Sequence, residues 1–309
     1  MRLATICAAV ASLSLGTATL GAQAAPPGTL EETIPPGANF DKAEFRFWAP
    51  QIAGPLRGTL VLVPGSNGEG RQQAQDTVWQ AFATRHKLAI VGCHLTDKPH
   101  DQNFIEAYVN VAQGSGEALL WAIDKFASRS NHPELATAPL VLWGMSAGGQ
   151  FDYEFAAWKP ERVAAFVVNK GGIYYTALTS RAARAVPALL FIGGKDLESR
   201  VSTITGLFAV NRRGGALWAL TEEPAASHVV GRSRDMSIIF FDDVLPMRIG
   251  DGGTLKPLDE KSGFVGDPRL KTFKSASDGP LPNYSTAWLP TARVAKAWQA
   301  MITETPFEP

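Results

Sequence analysis

Five short, unbroken apolar runs constrain this chain more than any other feature. They are Gly58–Gly65 (GTLVLVPG), Leu88–Cys93 (LAIVGC), Pro139–Gly144 (PLVLWG), Arg162–Asn169 (RVAAFVVN) and Val186–Gly194 (VPALLFIGG). Each is short for a buried helix and suits a strand covered on both faces. Between them lie segments whose apolar residues recur at helical spacing: Asp76–His86, Glu117–Ala127 and 147–160, the last stopped by Pro160. Further helical segments follow at Thr203–Gly215, Arg234–Ile249 and Thr291–Ile302, with a strand at Ala216–Leu220 after the first. Strands alternating with amphipathic helices predict an α/β fold, a mostly parallel central sheet flanked by helices on both faces. Glu44–Pro50 alternates polar and apolar residues, as an edge strand does. The Pro-rich stretch before it reads as an irregular lead-in. Residues 250–288, rich in Gly, Pro, Ser and Lys without a period, read as a long irregular excursion from a single domain spanning 26–309.

The first 25 residues have a different character. One charge, Arg2, precedes a run of small apolar residues that ends in Ala22-Gln23-Ala24. This is the layout of a secretory signal peptide cleaved after Ala24 or Ala25, so a secreted or periplasmic protein is expected, with no membrane span in the mature chain. Cleavage removes Cys7 and leaves Cys93 alone, which excludes an intramolecular disulfide. It also leaves 28 basic residues against 29 acidic ones, with no basic block. Such a balance gives no electrostatic footprint for nucleic acid.

The third-named run is followed by Gly144-Met145-Ser146-Ala147-Gly148-Gly149. A serine hydroxyl becomes a useful nucleophile only when it projects clear of the backbone and a base can take its proton. Glycines two positions either side, on a strand-to-helix turn, allow that projection. Two further residues sit where such chemistry needs them. Asp196 lies just beyond the end of Val186–Gly194, where a carboxylate can orient an imidazole, with Glu198 in reserve. His228 lies in the loop after Ala216–Leu220. The order Ser146, Asp196, His228 runs nucleophile, acid, base. The loop Val63–Gly70 (VPGSNGEG) offers the backbone N–H of Ser66 or Asn67, alongside that of Ala147, to a developing oxyanion.

Over roughly Glu44 to Ile249 the chain resembles the α/β-hydrolase superfamily. The likeness rests on GMSAGG, the PGSNG loop, GGKD and the Ser227-His228 pair. The nucleophile region looks like that of exported esterases and polyester-depolymerase-like hydrolases. One departure is the oxyanion loop, where Pro64-Gly65 stands in place of the His-Gly of many relatives. The resemblance implies an α/β-hydrolase fold, a small-molecule or polymeric ester as substrate, and catalysis without a cofactor. A peptidase or amidase, or a binding protein that keeps the fold, are the alternatives.

Rival groupings are weaker. His94, Asp97, His100 and Asp101 form a polar cluster, but Pro99 interrupts it and the spacing matches no helical ligand pair, so no metal is expected. His94 is instead a candidate for the substrate cleft, with Met145, Tyr174 and Tyr175. Cys93 reads as a small buried hydrophobe. Asp242 and Asp243 could rival Asp196 as orienter, although a solvated helix face suits them better.

Overall fold

The computed structural model describes residues 29–100, 106–278 and 285–307; the expected signal segment lies outside them. The chain runs β1 (Leu30–Ile34), β2 (Lys42–Trp48), β3 (Gly58–Val63), α1 (Thr77–His86), β4 (Leu88–Thr96), α2 (Ser115–Arg129), β5 (Leu140–Met145) and α3 (Ala147–Trp158). It continues through β6 (Val163–Asn169), α4 (Arg181–Arg184), β7 (Ala188–Gly193), α5 (Glu198–Arg213), β8 (Trp218–Glu223) and α6 (Ser233–Arg248). A last group holds β9 (Phe264–Asp267), β10 (Thr272–Ser275), β11 (Ala287–Leu289) and α7 (Ala292–Ile302).

Eight strands form one sheet in the order β1-β2-β4-β3-β5-β6-β7-β8. From β4 to β8 every pairing is parallel, and β1 and β2 join antiparallel at one edge. The apolar runs become strands because both faces are covered. Along β3, Val61 and Val63 face one core layer, and Leu60 and Leu62 face the other. The first layer holds Phe126 of α2, Phe151 and Phe155 of α3 and Phe208 of α5. The second holds Trp79 and Phe82 of α1, Phe240 of α6 and Trp298 of α7. Helix α1 starts where Asp76 accepts the N–H groups of Val78 and Trp79, and stops at Lys87 in a left-handed conformation.

Two expectations from sequence are corrected. The lead-in contains β1, which takes the edge, so β2 lies one strand inside. Only Ile34 of its five residues is buried, and that leaves little periodicity to read. Residues 250–288 are not wholly irregular either. β9 pairs antiparallel with both β10 and β11, making a second, three-stranded sheet. Strands of three or four residues are too short to print an alternation. The indole N–H of Trp298 donates to the Leu220 carbonyl (2.9 Å) and fastens α7, beside this small sheet, to the large one.

Charge ties the carboxyl ends of the later strands together. Lys170, just past β6, is fully buried, and its ammonium donates to Glu223 Oε2 (2.9 Å) at the end of β8 and to Asn169 Oδ1 (3.3 Å). The other oxygen, Glu223 Oε1, accepts the N–H of Arg232 at 2.7 Å. One carboxylate thus closes loop 224–231, because the residue before the loop grips the residue after it. Gly231 lies against that carboxylate at φ +55°, where a side chain would collide with it. Removing one member of such a pair leaves a buried charge uncompensated. Glu223→Ala is therefore expected to lose about 3–5 kcal/mol in urea unfolding. Glu222→Ala, at the exposed neighbouring position, should change stability by less than about 0.5 kcal/mol.

Candidate active site

Ser146 occupies the turn between β5 and α3 with φ +55° and ψ −121°. A serine is held there because the chain cannot relax on either side. A Cβ on Gly148 would overlap the Val63 carbonyl, and one on Gly144 would overlap the Gly148 backbone. The Ser146 N–H donates to the Asn169 carbonyl (2.8 Å), and its own carbonyl accepts the Gln150 N–H (3.1 Å). The hydroxyl lies 2.9 Å from His228 Nε2, and His228 Nδ1 lies 2.8 Å from Asp196 Oδ2. Asp196 Oδ1 accepts the Leu197 N–H (2.7 Å) and Arg200 Nη1 (3.0 Å). Burial pushes the Asp196 carboxyl up, but the His228, Leu197 and Arg200 donors outweigh it and hold its pKa below the usual value. Arg200 stands one turn along α5 from Asp196, and nothing in the sequence reading singled it out.

Ser146 and His228 line a cleft of about 500 Å³, together with Ser66, Glu106, Gln150, Gly172 and Arg200. Ala147 is the first residue of α3, so its N–H belongs to the set that a helix leaves without an internal acceptor. The Ser66 N–H has no acceptor among the described residues. The Asn67 N–H donates instead to the Tyr108 hydroxyl (3.3 Å), while its side chain accepts the Asp97 N–H (2.7 Å).

The remaining sequence candidates fall elsewhere. Met145 is half-buried against the second core layer. His94 Nδ1 lies 2.8 Å from Glu44 Oε2 and 3.5 Å from Glu69 Oε2. Arg71 joins the same cluster, 2.6 Å from Glu69 and 3.4 Å from Glu44. Burial raises the Glu69 carboxyl, but the Arg71 guanidinium overrides this and keeps its pKa below the usual value. Glu44, Glu69 and His94 approach closely enough to share a cation, yet Arg71 already supplies the positive charge. Asp97 and His100 pair separately at 3.3 Å, and Asp101 lies outside the described residues. Cys93 is buried, which pushes its thiol pKa up.

Tyr174 sets its ring edge-on against Tyr153, with centroids 5.0 Å apart. Tyr175 faces a neighbouring cavity of about 230 Å³ with Lys98 and His100. It is their loop neighbours, Gly172 and Ile173, that reach the Ser146 cleft. Asp242 accepts Arg85 (3.1 Å) and lies 2.7 Å from His86, while Asp243 accepts Arg293 (2.7 Å); neither approaches His228. Glu198 opens α5 on the exposed side.

No protein-family model matches the sequence, and no curated protein matches it. Solved structures do. A thermostable esterase aligns over 63% of this chain and 54% of its own, about half its length, at 15% identity and a TM-score of 0.49. The poly(3-hydroxybutyrate) depolymerase LpqC of Bordetella parapertussis aligns over 70% of this chain and 90% of its own, at 17% identity and a TM-score of 0.51. Poly(aspartic acid) hydrolase-1 of Sphingomonas sp. KT-1 aligns over 69% and 97%, at 14% identity and a TM-score of 0.47. With the parallel sheet, the strand order and the serine turn already described, the likeness to the depolymerase establishes that this chain has the α/β-hydrolase fold.

Proposed function

We propose that the protein is a serine hydrolase that cleaves carboxylic esters through an acyl-enzyme. The observation that carries this reading is the unbroken chain from Ser146 Oγ to His228 to Asp196, with both links under 3 Å. With the Nδ1 proton directed at Asp196, Nε2 is free to accept the serine proton as Oγ attacks the ester carbonyl. The carbonyl oxygen, now negative, takes the N–H groups of Ala147 and Ser66 at the positive end of α3. His228 then passes the proton to the leaving alcohol. It next takes a proton from water as the water oxygen bonds to the acyl carbon; the bond from that carbon to Ser146 Oγ then breaks, Oγ takes the proton back from His228, and the acid leaves. Apart from the ester and the water, every group in this sequence is a side chain or a backbone N–H of the chain, so the proposed cycle calls on no cofactor.

Ester hydrolysis is favoured over a binding role because the serine is kept in a conformation that costs about 1–3 kcal/mol. A turn of ordinary geometry would hold a ligand equally well. Export belongs to the same proposal and rests on the first 25 residues. No helix among the described residues is long and apolar enough to cross a membrane.

Hydrolysis of a short p-nitrophenyl ester tests the reading. Ser146→Ala should lower kcat/KM by about 10⁴-fold or more. Full activity in that variant overturns the assignment. Asp196→Asn should lower kcat by about 10⁴-fold, because an amide favours the wrong imidazole tautomer. Asp196 also makes a pH prediction. Its folded pKa is depressed, so its stabilisation is fully present above the unfolded carboxylate range and is lost as pH falls through the folded value. Urea midpoints of Asp196→Asn should accordingly fall less steeply on acidification than those of the parent protein. Intact mass of the exported protein should place its first residue at Ala25 or Pro26.

A further inference from the structure

Among the described residues that line the cleft, Glu106 is the charged group without a partner. It is 6% exposed, yet its carboxylate makes no hydrogen bond or ion pair with any described residue. Its backbone is fixed from two sides, since its carbonyl accepts the Val109 N–H (3.4 Å) and the Tyr175 hydroxyl (3.5 Å). The side chain is enclosed but its carboxylate oxygens still reach the surface, so a group that enters the cleft can pair with them.

Among the described residues that line the cleft, Arg200 is paired with Asp196 at 3.0 Å. Among those residues Glu106 is therefore the acidic group without a cationic partner, and it faces the same space as Ser146 and His228. Close by, Gln150 has its amide oxygen held by the Gly172 N–H (2.8 Å), so its orientation is set, and the amide contributes no cation to Glu106.

We propose that Glu106 is an anionic subsite, and that the cleft takes an ester carrying a positively charged ammonium group. The ester half of this statement rests on the hydrolase reading; the subsite does not. A cation there gains Coulomb energy in a space walled partly by Ile173 and Leu197, where screening is weaker than in water. A neutral group of the same shape gains none of it. An anion is repelled.

Two pairs of esters, each differing only in charge, test the subsite. Acetylcholine against 3,3-dimethylbutyl acetate places the charge on the alcohol side. Ethyl 4-(trimethylammonio)butanoate against ethyl 5,5-dimethylhexanoate places it on the acyl side. Binding is measured by calorimetry on the full-length Ser146→Ala protein, where turnover does not interfere, and kcat/KM on the parent protein. In at least one pair the cation should bind about tenfold more tightly than its neutral twin. Glu106→Gln should bring that ratio to about one. Equal binding within both pairs, or a preference that survives Glu106→Gln, overturns the subsite. Charge-selective binding without turnover of any ester sinks the hydrolase reading and leaves the subsite standing. Turnover without charge selectivity does the reverse.

Discussion

The backbone turn at Ser146 is the constraint on which the rest of the site depends. A non-glycine residue at φ +55° persists only where its surroundings over-determine it. Here Gly148 is pressed to the Val63 carbonyl of β3, Gly144 is pressed to Gly148, and the Ser146 N–H is bonded across to β6. The turn is thus clamped among three adjacent parallel strands. The sheet order explains why a cleft opens beside it. β4 lies on one side of β3 and β5 on the other, so the chain reverses direction across the sheet at the β3–β5 boundary. Loops leaving two such strands diverge and leave a crevice at their carboxyl ends. Ser66 after β3 and Ser146 after β5 line it together.

The histidine is positioned twice over, by two carboxylates in unrelated networks. Asp196 acts on the ring: one oxygen meets Nδ1 and the other is committed to Leu197 and Arg200, so the carboxylate cannot rotate away. Glu223 acts on the loop that carries the ring, through the Arg232 N–H and the buried Lys170. The first network is partly open to the cleft, and the second is nearly closed to solvent. That division matches the proposed function, in which the ring exchanges protons with the cleft while its loop is held from behind.

The legible parts of the chain were those that repeat or carry a long signal. β3, β5, β6 and β7 are continuous apolar runs because both faces are covered, and burial of that kind is written in composition. Ser146, Asp196 and His228 could be placed because each follows a strand, and a parallel sheet brings its strand ends to one edge. β1, β9, β10 and β11 left no such trace, being three to five residues long and, except for β11, only partly buried. Tyr174 and Tyr175 share a loop with Gly172 and Ile173, which line the cleft, but a strand end does not say which loop residue turns inward. Glu106, Arg200, Lys170 and Glu223 were passed over because a charged residue in a polar segment looks like solvated surface. Their burial arises from contacts between segments far apart in sequence, such as Lys170 with Glu223.

One helix links Ser146 to the far wall of the cleft. Ser146, Gln150 and Glu154 are spaced four apart at the start of and along α3, and so fall on one face. Gln150 holds the Gly172 N–H. Glu154 holds the Tyr175 and Thr176 N–H groups and the Thr176 hydroxyl. Tyr175 in turn donates to the Glu106 carbonyl. Burial pushes the Glu154 carboxyl up against the pull of these donors, as expected for a group spent on holding a loop and not on meeting solvent. The loop that forms the wall therefore has little freedom of its own. Its distance from Ser146 is set by the rise of a helix, so this wall of the cleft is anchored to the same element as the serine turn.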